Sequence, residues 1–358
     1  MSSSEAHDGE AVEPVKSAEE VVSRGTRARW WIRRGSKRRF WYEDAKGQRI
    51  IAQEHLQRIK SLVIPPAWTN VRVAPSPRNR LQAVGLDKNG RIQYLYHPSY
   101  AARRQRKKFE KIERFGEQLP ALRRKTNEDI ATEGPSRERV LAVVIRLINE
   151  LYFRVGSEES VKRYRTFGVT TLRNRHLEIK RDGKLIFSFK GKHQVHHRKV
   201  IVDKELAAVL QEIKAIGGAR LFGYHDEEGR VRPIKPRDVN DYIKSATSEE
   251  FTAKDFRTWG GTLLTAVELA EIGHVEDEKQ IKKNIVRAIK RVAEHLGNTP
   301  TVCRGSYVHP VVIDLYEQGT TLAEFRQRVE RQIKRIEPEY EPEEKALISM
   351  LRKKDNGK

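Results

Sequence analysis

The sequence predicts an α+β chain: a small, mainly β N-terminal domain followed by a larger, mainly α domain that carries a three-stranded antiparallel sheet. Three observations lead there. Aromatic and β-branched runs broken by turn residues fill residues 26–100. Three-and-four apolar spacing dominates beyond Pro135, and an alternating island with glycine turns interrupts it near residues 176–202. A length of 358 residues suits about two domains.

Residues 1–25 are Ser/Glu-rich with little periodicity and are expected to form a disordered acidic tail. Trp30-Trp31-Ile32, Gly35-Ser36, Phe40-Trp41-Tyr42 and Lys46-Gly47 then alternate as strands and turns. The clearest hairpin joins Leu81–Leu86 to Ile92–Tyr96, because Asn89-Gly90 supplies the positive φ values of a tight turn. Domain 101–335 opens on a basic, helix-compatible connector at 101–115 that includes Arg103, Arg104, Arg106, Lys107 and Lys108.

Ser136 caps a helix whose Val140, Val143, Val144, Leu147 and Leu151 share a face, with Gly156 expected to end it and Arg154 near that end. The island reads as strands 176–180, 185–190 and 195–202, joined by turns at Arg181-Asp182-Gly183 and Gly191-Lys192, so Lys192 lies at a hairpin tip. Thr252 with Asp255 starts another helix. A further one runs from Glu278 to Leu296 and stops at Gly297, and a last one begins at Thr321 through Glu324. Residues 336–358 are expected to be a charged tail.

Lys and Arg number 71 against 49 Asp and Glu, a formal charge of +22. The first 22 residues hold six carboxylates (Glu5, Asp8, Glu10, Glu13, Glu19, Glu20) and only Lys16, so the surplus belongs to the folded body. A dispersed surplus of this size fits a polyanionic partner, nucleic acid first, because phosphate neutralisation releases counterions. The single Cys303 excludes an intrachain disulfide and a Cys-rich zinc cluster. No apolar run approaches a membrane span and no basic-then-apolar leader opens the chain, so a cytoplasmic protein is expected.

Several residue groups invite chemistry. Arg91, Gln93, Tyr94 and Tyr96 interleave cations and aromatics as a nucleic-acid surface does, although alternate tyrosines equally fill a core face. His193, His196 and His197 lack a neighbouring carboxylate or cysteine to complete a metal site, and no metal is expected. Gly260-Gly261 lacks the spacing of a phosphate loop, and no G-x-S-x-G elbow surrounds Ser306. Tyr307 is the more interesting neighbour. A phenol of pKa near 10 can attack a phosphodiester if cations favour the phenolate and the charge that develops on phosphorus.

From about Val63 to Glu317 the chain resembles the type IB DNA topoisomerases of the short bacterial and poxviral kind. The matching stretches are Ile64-Pro65-Pro66-Ala67-Trp68, Gly90-Arg91-Ile92-Gln93-Tyr94-Leu95-Tyr96-His97 and Leu151-Tyr152-Phe153-Arg154-Val155-Gly156. Then follow Phe189-Lys190-Gly191-Lys192, Lys254-Asp255-Phe256-Arg257-Thr258-Trp259-Gly260, and Leu296-Gly297-Asn298-Thr299-Pro300 leading to Ser306-Tyr307. Each is short, but six in this order are a specific signal.

The resemblance implies that Tyr307 is the nucleophile of a 3′-phosphotyrosyl link, that Arg154 and Arg257 hold the non-bridging oxygens, and that Lys192 protonates the leaving 5′-oxygen. Asn298 stands where many relatives carry a histidine; its amide can donate the same bond but carries no charge. DNA contacts are implied for Arg91, Gln93, Tyr94, Tyr96, His97, Arg103 and Arg104. The family implies a tyrosine recombinase-like catalytic domain in a C-shaped clamp. That clamp would act as a monomer on double-stranded DNA at a bacterial nucleoid, relaxing supercoils of either sign without ATP, metal or other cofactor. Two other readings compete. Tyrosine recombinases share the catalytic core but usually carry His three residues before the second arginine, where this chain has Lys254. A non-catalytic DNA-binding module would need the charge but not Tyr307.

Overall fold

The computed structural model describes residues 17–36, 39–248, 250–326 and 341–353. It divides into two compact units, Met1–Lys108 and Phe109–Lys358. The division falls inside a helix, Pro98–Ile130, rather than at residue 100.

In the first unit, strands β1 (Trp31–Ser36), β2 (Arg39–Glu43), β3 (Thr69–Val73), β4 (Leu81–Leu86) and β5 (Ile92–Tyr96) form an antiparallel sheet in the order β2-β1-β3-β4-β5. The β4–β5 hairpin closes as its sequence suggests. The Asp87 carboxylate accepts the Asn89 and Arg91 N–H groups at 2.8 and 3.0 Å, and Gly90 takes φ +71°.

Helices cover both faces of this sheet. On one, Val22 of α1 (Ala18–Ser23) packs with Trp30, Val84 and Leu86; on the other, Ile59 of α2 (Gln53–Ser61) packs with Trp31, Val73 and Ala83. The expected disorder of residues 1–25 is therefore corrected for 17–25. Ser17 and Glu20 form a reciprocal capping box and Val22 is fully buried. One apolar pair among carboxylates shows no periodicity, and only the sheet face supplies its partner. Residues 1–16 lie outside the described residues.

The second unit is built on helices. The expected basic connector is the first half of α3 (Pro98–Ile130). Helix α4 (Arg137–Leu151) is capped by Ser136 and is buried along nearly its whole length. It ends at Leu151 and not at Gly156, because Tyr152 takes a left-handed φ of +53° and its N–H closes on Ile148 O. Gly156 instead packs on Gly168, whose Cα would lie 2.9 Å from an added Cβ.

After α5 (Glu158–Tyr164), strands β6 (Leu177–Ile179), β7 (Lys184–Lys190) and β8 (His196–Val202) form the antiparallel island. Helix α6 (Lys204–Ala215) is followed by a hairpin the sequence reading lacks, β9 (Gly223–His225) with β10 (Val231–Pro233). Helices α7 (Pro236–Ala246), α8 (Ala253–Ile272), α9 (Glu278–Leu296), α10 (Pro300–Tyr307) and α11 (Pro310–Glu317) complete the core. Among the described residues, no helix is long and apolar enough to cross a membrane.

The expected charged tail is corrected too. Pro342–Lys353 is a helix whose Ala346, Leu347, Met350 and Leu351 are buried in the main core. These four, with Ile348 also buried, dock it despite its charged flanks. Glu344, 2% exposed, accepts from both Nη atoms of Arg123 at 2.6 and 2.8 Å and from Trp259 Nε1 at 3.3 Å. Glu344→Ala removes the two-point carboxylate partner of the largely buried Arg123 guanidinium, which keeps its bond to Asn149 Oδ1 at 3.3 Å. Chemical denaturation is expected to register a loss of about 3 kcal/mol, and an unchanged midpoint would mean that the pair contributes nothing.

Candidate active site

Four side chains far apart in sequence converge at the C-terminal end of α9. Arg154 follows the left-handed turn at Tyr152, whose ring lies where only a glycine at 260 fits: a Cβ there would come within 2.1 Å of it. Arg257, on α8 and 4% exposed, donates Nη1 to Tyr152 O at 2.5 Å and Nη2 to Leu296 O at 2.8 Å. Arg154 donates Nη2 to Gly297 O at 3.1 Å and to Asn298 Oδ1.

Tyr307 is the last residue of α10. Its backbone lies against Gly261, where an added Cβ would meet Tyr307 O at 2.7 Å, and Thr262 Oγ1 donates to the same carbonyl at 3.2 Å. The Gly-Gly pair is thus a packing device that lets Tyr152 and Tyr307 approach α8. The Tyr307 ring lies under Arg257, with Cζ 5.0 Å from its centre.

Electrostatics favour an ionised phenol. Burial alone raises the Tyr307 hydroxyl, but the charge and hydrogen bonding of Arg257, with Arg154 and Lys254 beyond, hold it below its ordinary value. Burial, and then Arg257, bring Arg154 down to about 10, so it stays charged at neutral pH. His197 and His295, each pushed down to about 4 chiefly by burial, add no further charge. Among the described residues, two buried donors, Arg257 Nε and Asn298 Nδ2, have no hydrogen-bond partner. Because Arg154 occupies Oδ1 of Asn298, the amide NH2 is the end left for a ligand, and unpaired buried donors suit an anion.

Lys192 lies in the β7–β8 connection. It is exposed and lines one cleft with Arg154, Arg257, His197 and Lys199. Of the histidine group, His197 stacks on Phe189 at 5.3 Å in space left by Gly191 and Gly297, while His196 reaches Ser188 Oγ at 3.4 Å. Among the described residues, no group of three or more His, Cys, Asp or Glu side chains is arranged to hold a metal.

In the first unit Tyr94 and Tyr96 are exposed rather than core residues. Their rings stack at 6.1 Å, Tyr96 meets Tyr100 at 5.4 Å, and Arg104 lies over both Tyr96 and Tyr100. Gln93 points to the opposite face, as strand alternation requires, and donates to Asp87 at 3.0 Å. The preceding Arg91 lies in the hairpin turn, its N–H held by Asp87. His97 caps α3 through Nδ1, which accepts the Ser99 N–H at 3.2 Å, and Arg103 is exposed on that helix. Sequence reasoning missed Lys199 and Thr262 as site neighbours, and gave Lys254 and Tyr152 no role although both lie in the matching stretches. The Gly-Gly pair inside a helical pattern is the one signal of close packing there.

The chain is similar to known proteins over most of its length. Residues 97–336 match the family described as "Eukaryotic DNA topoisomerase I, catalytic core", and residues 39–87 match "Bacterial DNA topoisomerase IB, N-terminal domain". The chain is 31% identical over 292 residues to DNA topoisomerase 1B of Acanthamoeba polyphaga mimivirus, covering 80% of this chain and 86% of the relative. It is 26% identical over 276 residues to DNA topoisomerase 1B of Vaccinia virus (strain Copenhagen), covering 76% and 84%.

Proposed function

We infer the reaction course from the premise that the chain belongs to the type IB DNA topoisomerases. Tyr307 Oη attacks the scissile phosphorus, a P–O bond to the tyrosine forms, and the bond to the 5′-oxygen breaks. The phenol proton leaves to solvent, and Lys192 supplies the proton that the 5′-oxygen takes up. Arg154, Arg257 Nε and Asn298 Nδ2 donate to the non-bridging oxygens, whose charge grows in the transition state. The 3′-phosphotyrosyl bond keeps the energy of the phosphodiester, so the 5′-hydroxyl reseals the strand without ATP after the free end has swivelled.

The observation that carries this reading is the Tyr307 phenol held beneath Arg257, together with two buried donors that have no hydrogen-bond partner among the described residues. The recombinase alternative is not favoured, because the N-terminal unit matches a topoisomerase domain. The exposed Tyr94, Tyr96 and Arg104, with the half-buried Tyr100 beside them, support a duplex-facing role for the first unit, with aromatic faces leaning on sugars and bases. A monomer that clasps chromosomal DNA with both units is the working form we propose, in the cytoplasm of a bacterium.

The test is plasmid relaxation in EDTA without nucleotide, on positively and negatively supercoiled DNA, with the reaction quenched in denaturant. Relaxation of both signs is expected, with protein trapped on a 3′ end beside a free 5′-hydroxyl. Attachment to the 5′ end, or strict dependence on ATP or a divalent ion, would sink the mechanism.

A further inference from the structure

The end of α9 does more than stop a helix. The last carbonyls of any helix lack intrahelical partners and carry about half a negative charge between them. Here the chain's own turn closes two of them. Asn298 N–H reaches Ala293 O at 2.8 Å and Gly297 N–H reaches Glu294 O at 3.1 Å, with Gly297 left-handed at φ +64°. The next three carbonyls in sequence each take a different cation. Lys199 Nζ donates to His295 O at 2.5 Å, Arg257 Nη2 to Leu296 O at 2.8 Å and Arg154 Nη2 to Gly297 O at 3.1 Å.

We propose that Lys199 is a positioning residue for strand cleavage: by occupying His295 O it confines Arg257 to Leu296 O and Tyr152 O, so that Arg257 Nε stays directed at the phosphate. The inference rests on the proposed roles of Arg257 and Tyr307. Three like charges gathered in a half-buried site repel one another, and the helix terminus is the countercharge that holds them before DNA arrives. Lys199 is based on β8, paired opposite Phe187 in the sheet, so its stem starts from a fixed platform. Burial first, and then Arg257, push its ammonium down to about 8. Without it, His295 O is an open acceptor beside Leu296 O. Arg257 can then slide to bridge the two and withdraw Nε from the phosphate position.

The experiment compares Lys199→Met and Lys199→Arg in the full chain, by single-turnover cleavage of a suicide duplex at saturating protein, with duplex Kd and Tm measured alongside. A displaced Arg257 is expected to slow Lys199→Met cleavage by about 10- to 100-fold while Kd and Tm hold, and Lys199→Arg is expected to restore most of the rate. A native rate in Lys199→Met overturns the proposal, as does a slow rate that tracks a fall in Tm or that Lys199→Arg fails to rescue. Tyr307→Phe run in parallel keeps the two readings apart. Adduct from that variant overturns the site itself, whereas a native Lys199→Met beside an inert Tyr307→Phe overturns only the role of Lys199.

Discussion

Tyr307→Phe is expected to bind duplex DNA with native affinity and to form no covalent adduct, with relaxation reduced by more than about 10⁴-fold. The substitution removes one oxygen and keeps both the ring under Arg257 and the backbone and Cβ that pack against Gly261. The fold is therefore expected to persist while the proposed nucleophile is lost. The phenol is also the group whose ionisation Arg257, Arg154 and Lys254 favour against burial, so no neighbouring hydroxyl inherits that electrostatic support. Ser306, one residue earlier, is the natural substitute to check. Denaturing gels of protein mixed with end-labelled duplex read the result directly, and adduct at native levels would assign the nucleophile elsewhere.

Arg257→Ala is expected to fail in two ways at once. It removes the donor we propose for the charge that develops on phosphorus, an expected loss of about 10²- to 10³-fold in cleavage. It also strips Tyr152 O and Leu296 O of their partner in a site where the side chain is 4% exposed, a destabilisation of about 2 kcal/mol. Arg257→Lys separates the two effects. A single ammonium restores charge, but it lacks the planar fork that serves two carbonyls and still presents Nε, so the charge alone is expected to recover little of the rate. Single-turnover cleavage and urea unfolding of both variants provide the measurement. Native cleavage in Arg257→Ala would remove this residue from the mechanism, and native cleavage in Arg257→Lys would reduce its part to charge.

Local features of this protein were open to reading because they depend on a few neighbouring residues. Asn89-Gly90 turns the β4–β5 hairpin, Thr252 N–H and Oγ1 meet Asp255 at the start of α8, and Gly297 ends α9 in a left-handed turn. The order of short motifs likewise indicated the family and named a candidate set of residues. Where local signals were weak the reading failed, as at Val22 and at the helix Pro342–Lys353, whose apolar residues are flanked at both ends by charges. Those segments fold because a sheet face or a helical core elsewhere in the chain buries them, and no short window of sequence contains that face.

The site itself shows the same division. That two arginines, an asparagine and a tyrosine could serve one phosphate was a matter of residue type and order. Only the tertiary structure decided that the end of α9 gathers them, that Gly260 and Gly261 clear space for Tyr152 and Tyr307, and that Lys199 joins the arginines on consecutive carbonyls. The physical reason is that a helix terminus exposes acceptors whose partners come from wherever packing brings a cation. Arg154 and Asn298 stand 144 positions apart in the chain yet share a hydrogen bond, a meeting determined by buried faces rather than by any local rule.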